Sequence, residues 1–222
     1  MQTPSAPSDG RPFDAVLCDL DGVIRFFDAS VVARLEREAG LPEGTTAAVG
    51  FAPENDRPLL EGRITRRQWA ESIVRGLPAA LPRPRAEALA AAFTRADFRA
   101  DPQVVALLRR LRRRCPLVLV TNATAWLDDD LRKMGITDLA TSVVNSSELG
   151  IVKPDPRIYR IAAARAGVPL DRCLFVDDRS ENVTAAVALG ATGVVYRART
   201  DLERALAPLL GEDEARTPAA DR

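Results

Sequence analysis

The sequence predicts an α/β fold, a parallel sheet covered by helices on both faces, interrupted by a helical insertion near its first strand. Three observations predict it. Short apolar runs rich in β-branched residues alternate with amphipathic helical patterns. These runs are continuously apolar, as strands buried on both faces are. One interval between two of them is far too long for a connecting loop.

The first strand is read at FDAVLCD (13–19). After it, about 75 residues pass before the next core helix. That interval is helical in pattern. Val31, Val32, Leu35 and Ala39 share a face. Thr65 and Gln68 form a capping box ahead of Trp69, Ile73 and Val74, and an Ala-rich segment follows at 84–95. Residues 28–96 are therefore read as an inserted helical subdomain, with 13–27 and 97–210 forming the sheet-bearing core. Asp101-Pro102 opens a helix with Val104, Val105, Leu108 and Leu111 on its buried stripe. PLVLVT (116–121) and TSVV (141–144) are the next strands. Pro154-Asp155-Pro156 starts a helix through Ile158, Ile161 and Ala162 that ends near Gly167. RCLFVD (172–177) is a strand, Ser180 begins a helix stopping at Gly190, and TGVVY (192–196) is the last strand. Residues 1–12 and 211–222 read as polar tails.

Composition narrows the chemistry. Lys+Arg and Asp+Glu both number 31, so no net field favours nucleic acid or an acidic membrane, and neither is expected as a partner. No apolar run has the length of a membrane span, and the N-terminus lacks the apolar core of a signal peptide. Three cysteines without metal-type spacing point to a reducing cytoplasm. There is no histidine, which removes Ser-His-Asp hydrolases, phosphohistidine enzymes and His-based zinc sites. Only Lys133 and Lys153 interrupt an otherwise all-arginine set of 31 basic residues.

Four clusters carry possible chemistry. Asp19 and Asp21 are two apart at a strand end, so both can point one way, and Gly22 lets the chain turn beside them. A turn with two solvated acids has the same pattern. Thr121-Asn122 follows PLVLV with a hydroxyl, an amide and free N–H groups, suited to a phosphate or to a plain helix cap. Lys153 stands at a helix start, unfavourable for the macrodipole without a compensating anion; Lys133 reads as an ordinary surface lysine. Asp177 and Asp178 end an apolar strand side by side, costly unless a hard cation takes them, although a helix cap accounts for one. Cys173 and Arg179 have the C-x₅-R spacing of cysteine phosphatases, but LFVDD between them is no phosphate loop. Cys18 reads as a core residue. All four clusters fall at the C-terminal ends of expected strands, where open α/β sheets bind ligands.

Together, DLDGV, VTNAT, IVKPDPRIY and FVDDRSEN resemble, in order and spacing, the four motifs of the haloacid dehalogenase (HAD) superfamily of hydrolases, over 13 to about 196. The resemblance implies a Rossmann-like three-layer core with an inserted α-helical cap. Asp19 would be the nucleophile and form an aspartyl-phosphate; Asp21 would act as general acid and then base. Mg²⁺ would be held by Asp19, the backbone carbonyl of Asp21 and Asp178, with Asp177 close by or acting through water. Thr121, Asn122 and Lys153 would bind the phosphoryl oxygens. The implied substrate is a small phosphorylated metabolite, and the run from Lys153 to Val195 is similar to sugar-phosphate phosphatases of the glucose-1-phosphate type. A phosphosugar mutase could use the same residues. A 2-haloacid dehalogenase resembles DxYGT at the first motif and lacks the acid that Asp21 supplies. A non-enzymatic binding protein of this fold is a third alternative. The expected state is a monomer or homodimer. Arg25, Asn55, Arg57, Arg63 and Trp69 are candidates for facing the substrate.

Overall fold

The computed structural model describes residues 10–211, so the tails expected at 1–12 and 211–222 lie almost wholly outside the described residues. The strands are β1 (Ala15–Cys18), β2 (Arg25–Phe27), β3 (Phe98–Ala100), β4 (Leu117–Thr121), β5 (Ser142–Asn145), β6 (Cys173–Asp177) and β7 (Thr192–Val195). The helices of the insertion are α1 (Ser30–Glu38), α2 (Thr45–Gly50), α3 (Pro53–Leu60), α4 (Arg66–Gly76) and α5 (Arg83–Thr94). Those of the core are α6 (Pro102–Arg112), α7 (Leu127–Met134), α8 (Ser146–Leu149), α9 (Pro156–Ala166), α10 (Ser180–Ala188) and α11 (Arg199–Leu210).

The five-stranded sheet runs in the order β5-β4-β1-β6-β7, and every pairing in it is parallel. Alternate residues of β1 serve opposite faces. Val16 and Cys18 pack with residues of α6, α7 and α11, while Ala15 and Leu17 pack with those of α9 and α10. Both faces are buried, which is why the strands read as continuous apolar runs. This is a Rossmann-like α/β core. Helix starts follow their caps: the Asp101 side chain accepts from Gln103 N and Val104 N, and Asp155 accepts from Arg157 N. No described helix is long and apolar enough to cross a membrane.

The insertion has its own core. Val32, Leu59, Trp69, Ile73, Leu77 and Leu89 are buried together, and Trp126 of the sheet-bearing part packs against them. Glu36 is 1% exposed because its carboxylate takes Gly44 N at 2.8 Å and Thr46 N at 2.6 Å, closing the start of α2. The Thr65–Gln68 capping box opens α4. Val31 departs from the expected stripe; it is exposed and Ala33 is buried in its place. An antiparallel ribbon of β2 and β3 stands where the chain leaves and re-enters the core.

The insertion also touches the core at a hydroxyl. Ser146, fully buried, donates from Oγ to Leu60 O of α3 at 2.7 Å and lies 3.2 Å from Ala123 O; it accepts from Ala123 N at 3.1 Å. Two residues beyond Leu60, Gly62 at φ +71° lies so close to Ser147 O that any Cβ would collide with it.

Candidate active site

The sheet register brings the clusters together. Cys18 pairs with Leu119 on one side and Val176 on the other. Asp19 therefore emerges one residue past both pairings, beside Asp177, while Thr121 ends β4 on its other flank. Asp19 N donates to Val176 O at 2.9 Å, which fixes its backbone.

Lys153 sits at the centre. Its Nζ lies 2.8 Å from Asp19 Oδ1 and 2.7 Å from Asp177 Oδ2, with all three side chains nearly or fully buried. A compact ammonium bridges the two carboxylates through a single nitrogen, which a planar guanidinium, with its charge spread over three nitrogens, does not reproduce. Asp19 Oδ1 also accepts from Leu20 N at 2.7 Å. Among the described residues no hydrogen bond is made to Oδ2, leaving that oxygen available. Burial pushes the Asp19 carboxyl up to about 7, against the pull of Lys153. The two buried anions raise Lys153 in turn, outweighing its own desolvation.

Asp177 is fully occupied. Oδ1 accepts from Arg179 N at 2.8 Å and from Asn182 Nδ2 at 3.0 Å, and Oδ2 accepts from Lys153 and from Asn182 Nδ2 at 3.1 Å. Asn182 is a residue the sequence reading missed. It is the third residue of α10, and FVDDRSEN signals it only through its i+5 spacing from Asp177. Asp178 is half-buried, and desolvation followed by the Asp177 charge raises its pKa. Its carboxylate rests against Gly22, where φ is +76° and any Cβ would strike it. Oxygens of Asp19, Asp177 and Asp178 all lie within 4.8 Å of one another.

Thr121 Oγ1 is buried and has no hydrogen-bond partner among the described residues, a cost a fold does not leave uncompensated without reason. Asn122, expected to reach phosphoryl oxygens, commits its side chain elsewhere: Oδ1 accepts from Lys153 N at 2.7 Å and Nδ2 donates to Lys153 O at 3.0 Å. The amide thus clamps the backbone that presents Lys153. Asp21 is turned to Arg25, which grips it through Nε at 2.5 Å and Nη2 at 2.8 Å. Arg25 also bonds Asp130 at 2.7 Å and lies over the rings of Phe27 and Phe98.

Each of the expected substrate-facing residues is engaged with a protein partner in this structure. Arg25 is only 4% exposed and holds Asp21. Asn55 donates to Val49 O, Trp69 donates to Gly50 O within the insertion's core, and Arg57 and Arg63 both pair with Glu61. Cys173 is buried, its thiol pushed up to about 12 by burial, so it is no thiolate nucleophile.

A family model for haloacid dehalogenase-like hydrolases matches residues 13–190, most of the chain. The chain belongs to the haloacid dehalogenase-like hydrolases. Among curated relatives of this HAD chain, phosphoserine phosphatase of Thermus thermophilus is 33% identical over 138 residues, covering 60% of this chain and 52% of that protein. The chain thus spans about half the length of that relative. Two solved structures share the fold. A HAD family enzyme from Bacteroides thetaiotaomicron, in complex with magnesium and inorganic phosphate, gives a TM-score of 0.64 at 19% identity, covering 84% of this chain and 95% of that one. L-2-haloacid dehalogenase from Xanthobacter autotrophicus gives 0.58 at 21% identity, covering 88% and 82%.

Proposed function

We propose that this HAD hydrolase is a phosphatase, cleaving a small phosphate monoester through an aspartyl-phosphate on Asp19. The observation that carries the reading is the charge of the site: three carboxylates, Asp19, Asp177 and Asp178, meet one ammonium, Lys153. Such a cluster calls for a further cation, and a carboxylate attacking a phosphate dianion needs the same thing. Hard oxygen donors this close suit Mg²⁺. Because Asp177 is saturated by Lys153, Arg179 N and Asn182, Asp19 and Asp178 are the side chains with capacity to hold the ion, joined by the backbone carbonyl of Asp21. Bound there, Mg²⁺ would offset charge on the transferring phosphoryl group.

The chain's own residues do the rest. Lys153 and the unpartnered hydroxyl of Thr121 offer donors to phosphoryl oxygens. A carboxylate oxygen of Asp19 bonds to phosphorus as the ester P–O bond breaks, and Asp21 gives its proton to the departing alkoxide. Asp21 then takes a proton from the water that attacks the aspartyl-phosphate, releasing phosphate and restoring Asp19. To serve the leaving oxygen, the Asp21 carboxylate must give up at least one of its bonds to Arg25. A halide leaving group needs no proton, so Asp21 weighs against dehalogenation. The partner is a small phosphorylated metabolite; the chain's balanced charge favours neither nucleic acid nor membrane.

Purified protein with Mg²⁺ should release inorganic phosphate from a panel of phosphate esters, stop with chelator, and release no chloride from 2-chloropropionate. Chloride release without phosphate release would sink the reading, and isomerised sugar phosphate exceeding free phosphate would turn it into a mutase. Gly22→Ala should raise the Mg²⁺ concentration for half-maximal activity by about 10–100-fold, since the methyl displaces Asp178 and the backbone is left-handed. An unchanged Mg²⁺ midpoint would mean that Asp178 is not a ligand.

A further inference from the structure

A buried arginine grips the acid–base group. Arg25 opens β2, and its backbone closes the turn that follows β1: Arg25 N donates to Leu20 O at 2.8 Å, and Gly22 N donates to Arg25 O at 3.0 Å. The side chain, only 4% exposed, reaches back across that turn. Nε donates to Asp21 Oδ1 at 2.5 Å and Nη2 to Asp21 Oδ2 at 2.8 Å, so the fork gives one bond to each oxygen. The third nitrogen, Nη1, donates to Asp130 of α7 at 2.7 Å. Ring centroids of Phe27 and Phe98, on the two strands of the ribbon, lie 4.9 and 5.4 Å from Arg25 Cζ.

The two acids on this guanidinium differ. The Asp130 side chain is 13% exposed, whereas that of Asp21 is 36% exposed. Among the described residues Asp21 accepts from no group but Arg25, so two of its four lone-pair positions stay open. Buried ion pairs often add little net stability, since both charges lose their water. This array does something else: it fixes one carboxylate while leaving that carboxylate's remaining lone pairs open. When Asp21 releases one bond, Arg25 does not follow it. The second bond, Asp130 and the two rings keep the guanidinium in place for the carboxylate's return.

We propose that Arg25, anchored by Asp130, is the positioning residue for both proton transfers of Asp21. It aims the carboxylate at the water that attacks the aspartyl-phosphate. It yields one bond when Asp21 hands its proton to the departing alkoxide. The inference rests on the phosphatase reading and deepens it, because one fork serves the acid of the first half-reaction and the base of the second. Arg25 acts only through Asp21.

The test separates the two half-reactions in the full chain with Mg²⁺. p-Nitrophenolate leaves without a proton, glycerol needs one, and hydrolysis of the aspartyl-phosphate needs a base with either ester. Arg25→Lys keeps the charge and loses the fork. It should lower steady-state phosphate release from p-nitrophenyl phosphate and from glycerol phosphate by about 10²-fold, yet release the first equivalent of p-nitrophenolate within about threefold of the wild-type rate. A p-nitrophenolate burst results, with no matching burst of glycerol. Asp130→Ala removes only the anchor and should give the same pattern with about a tenfold loss. It decides the matter if the lysine variant does not melt cooperatively. Burst and steady state lowered together overturn the proposal, since Arg25 then only supports the fold. Neither lowered in either variant overturns it too, since Asp21 then needs no holder. If the wild type hydrolyses both esters in those cases, the phosphatase reading stands and only the role of Arg25 falls. No hydrolysis of either ester by the wild type removes both.

Discussion

Asp19→Asn is expected to lower turnover of every phosphate ester by about 10⁴-fold or more, while making the metal-free protein more stable above neutral pH. The activity loss follows from an amide having no anionic oxygen to attack phosphorus. The stability gain follows from the same burial that shapes the site. The carboxyl has an ordinary pKa of 3.8 and is pushed up to about 7 by desolvation. An acid raised in the folded state contributes stability below its unfolded pKa and loses it as pH rises through the folded one. In chelator, wild-type stability should therefore decline between about pH 4 and pH 7, by a few kcal/mol in total. Asparagine cannot ionise, so the variant's profile should lack this fall. Paired melting curves across pH, alongside phosphate release, measure both effects. Turnover within tenfold of wild type would remove Asp19 from the chemistry. A stability difference that ignores pH would mean that its charge is not desolvated.

Lys153→Met carries the second large effect, with the opposite sign on stability. Removing the ammonium leaves Asp19 and Asp177, both buried, facing each other without the cation that now lies 2.8 and 2.7 Å from them. Breaking a buried ion pair from one side costs about 3–5 kcal/mol, so denaturant unfolding in chelator at neutral pH should shift accordingly. Turnover should fall by about 10²–10³-fold, since a preorganised positive charge at the phosphoryl group is lost. Lys153→Arg should not restore it, because the planar fork, with its charge spread over three nitrogens, does not reproduce the single nitrogen shared by the two carboxylates. A methionine variant as stable as wild type would show that the pairs contribute little.

The sheet and its ligand-bearing ends were legible because their signals are local. Leu117 to Val120 can only be a strand buried on both faces, and Asp101-Pro102 or Asp155-Pro156 announce their helices by caps one or two residues long. The helices α2, α3, α7, α8 and α11 were not read from the sequence. Four of them have eight residues or fewer, and α3 carries Pro53 and Pro58, so propensity alone does not propose it. The ribbon of β2 and β3 joins three-residue strands some seventy positions apart, and no local pattern predicts such a pairing. At the site, residue types and strand ends placed Asp19, Lys153, Asp177 and Asp178 together, since their chemistry is strange in isolation. What each side chain does with its remaining bonds was invisible. Asn122 clamps Lys153 from 31 positions away, and Arg25 grips Asp21 across a local turn while Asp130, remote in sequence, holds the guanidinium from the other side.

One hydroxyl joins the insertion to the core by a bond that can be exchanged rather than lost. Ser146 has a single proton to give and two carbonyls within reach, Leu60 O at 2.7 Å and Ala123 O at 3.2 Å. When α3 moves away, the proton can swing from the first to the second, and no buried donor is stranded. The tether is therefore a swivel, whose breaking exchanges one bond for another within the same loop. The seam can thus lose its bond to Leu60 O at little enthalpic cost, while the packing of Trp126 still joins the insertion's core to the sheet-bearing part.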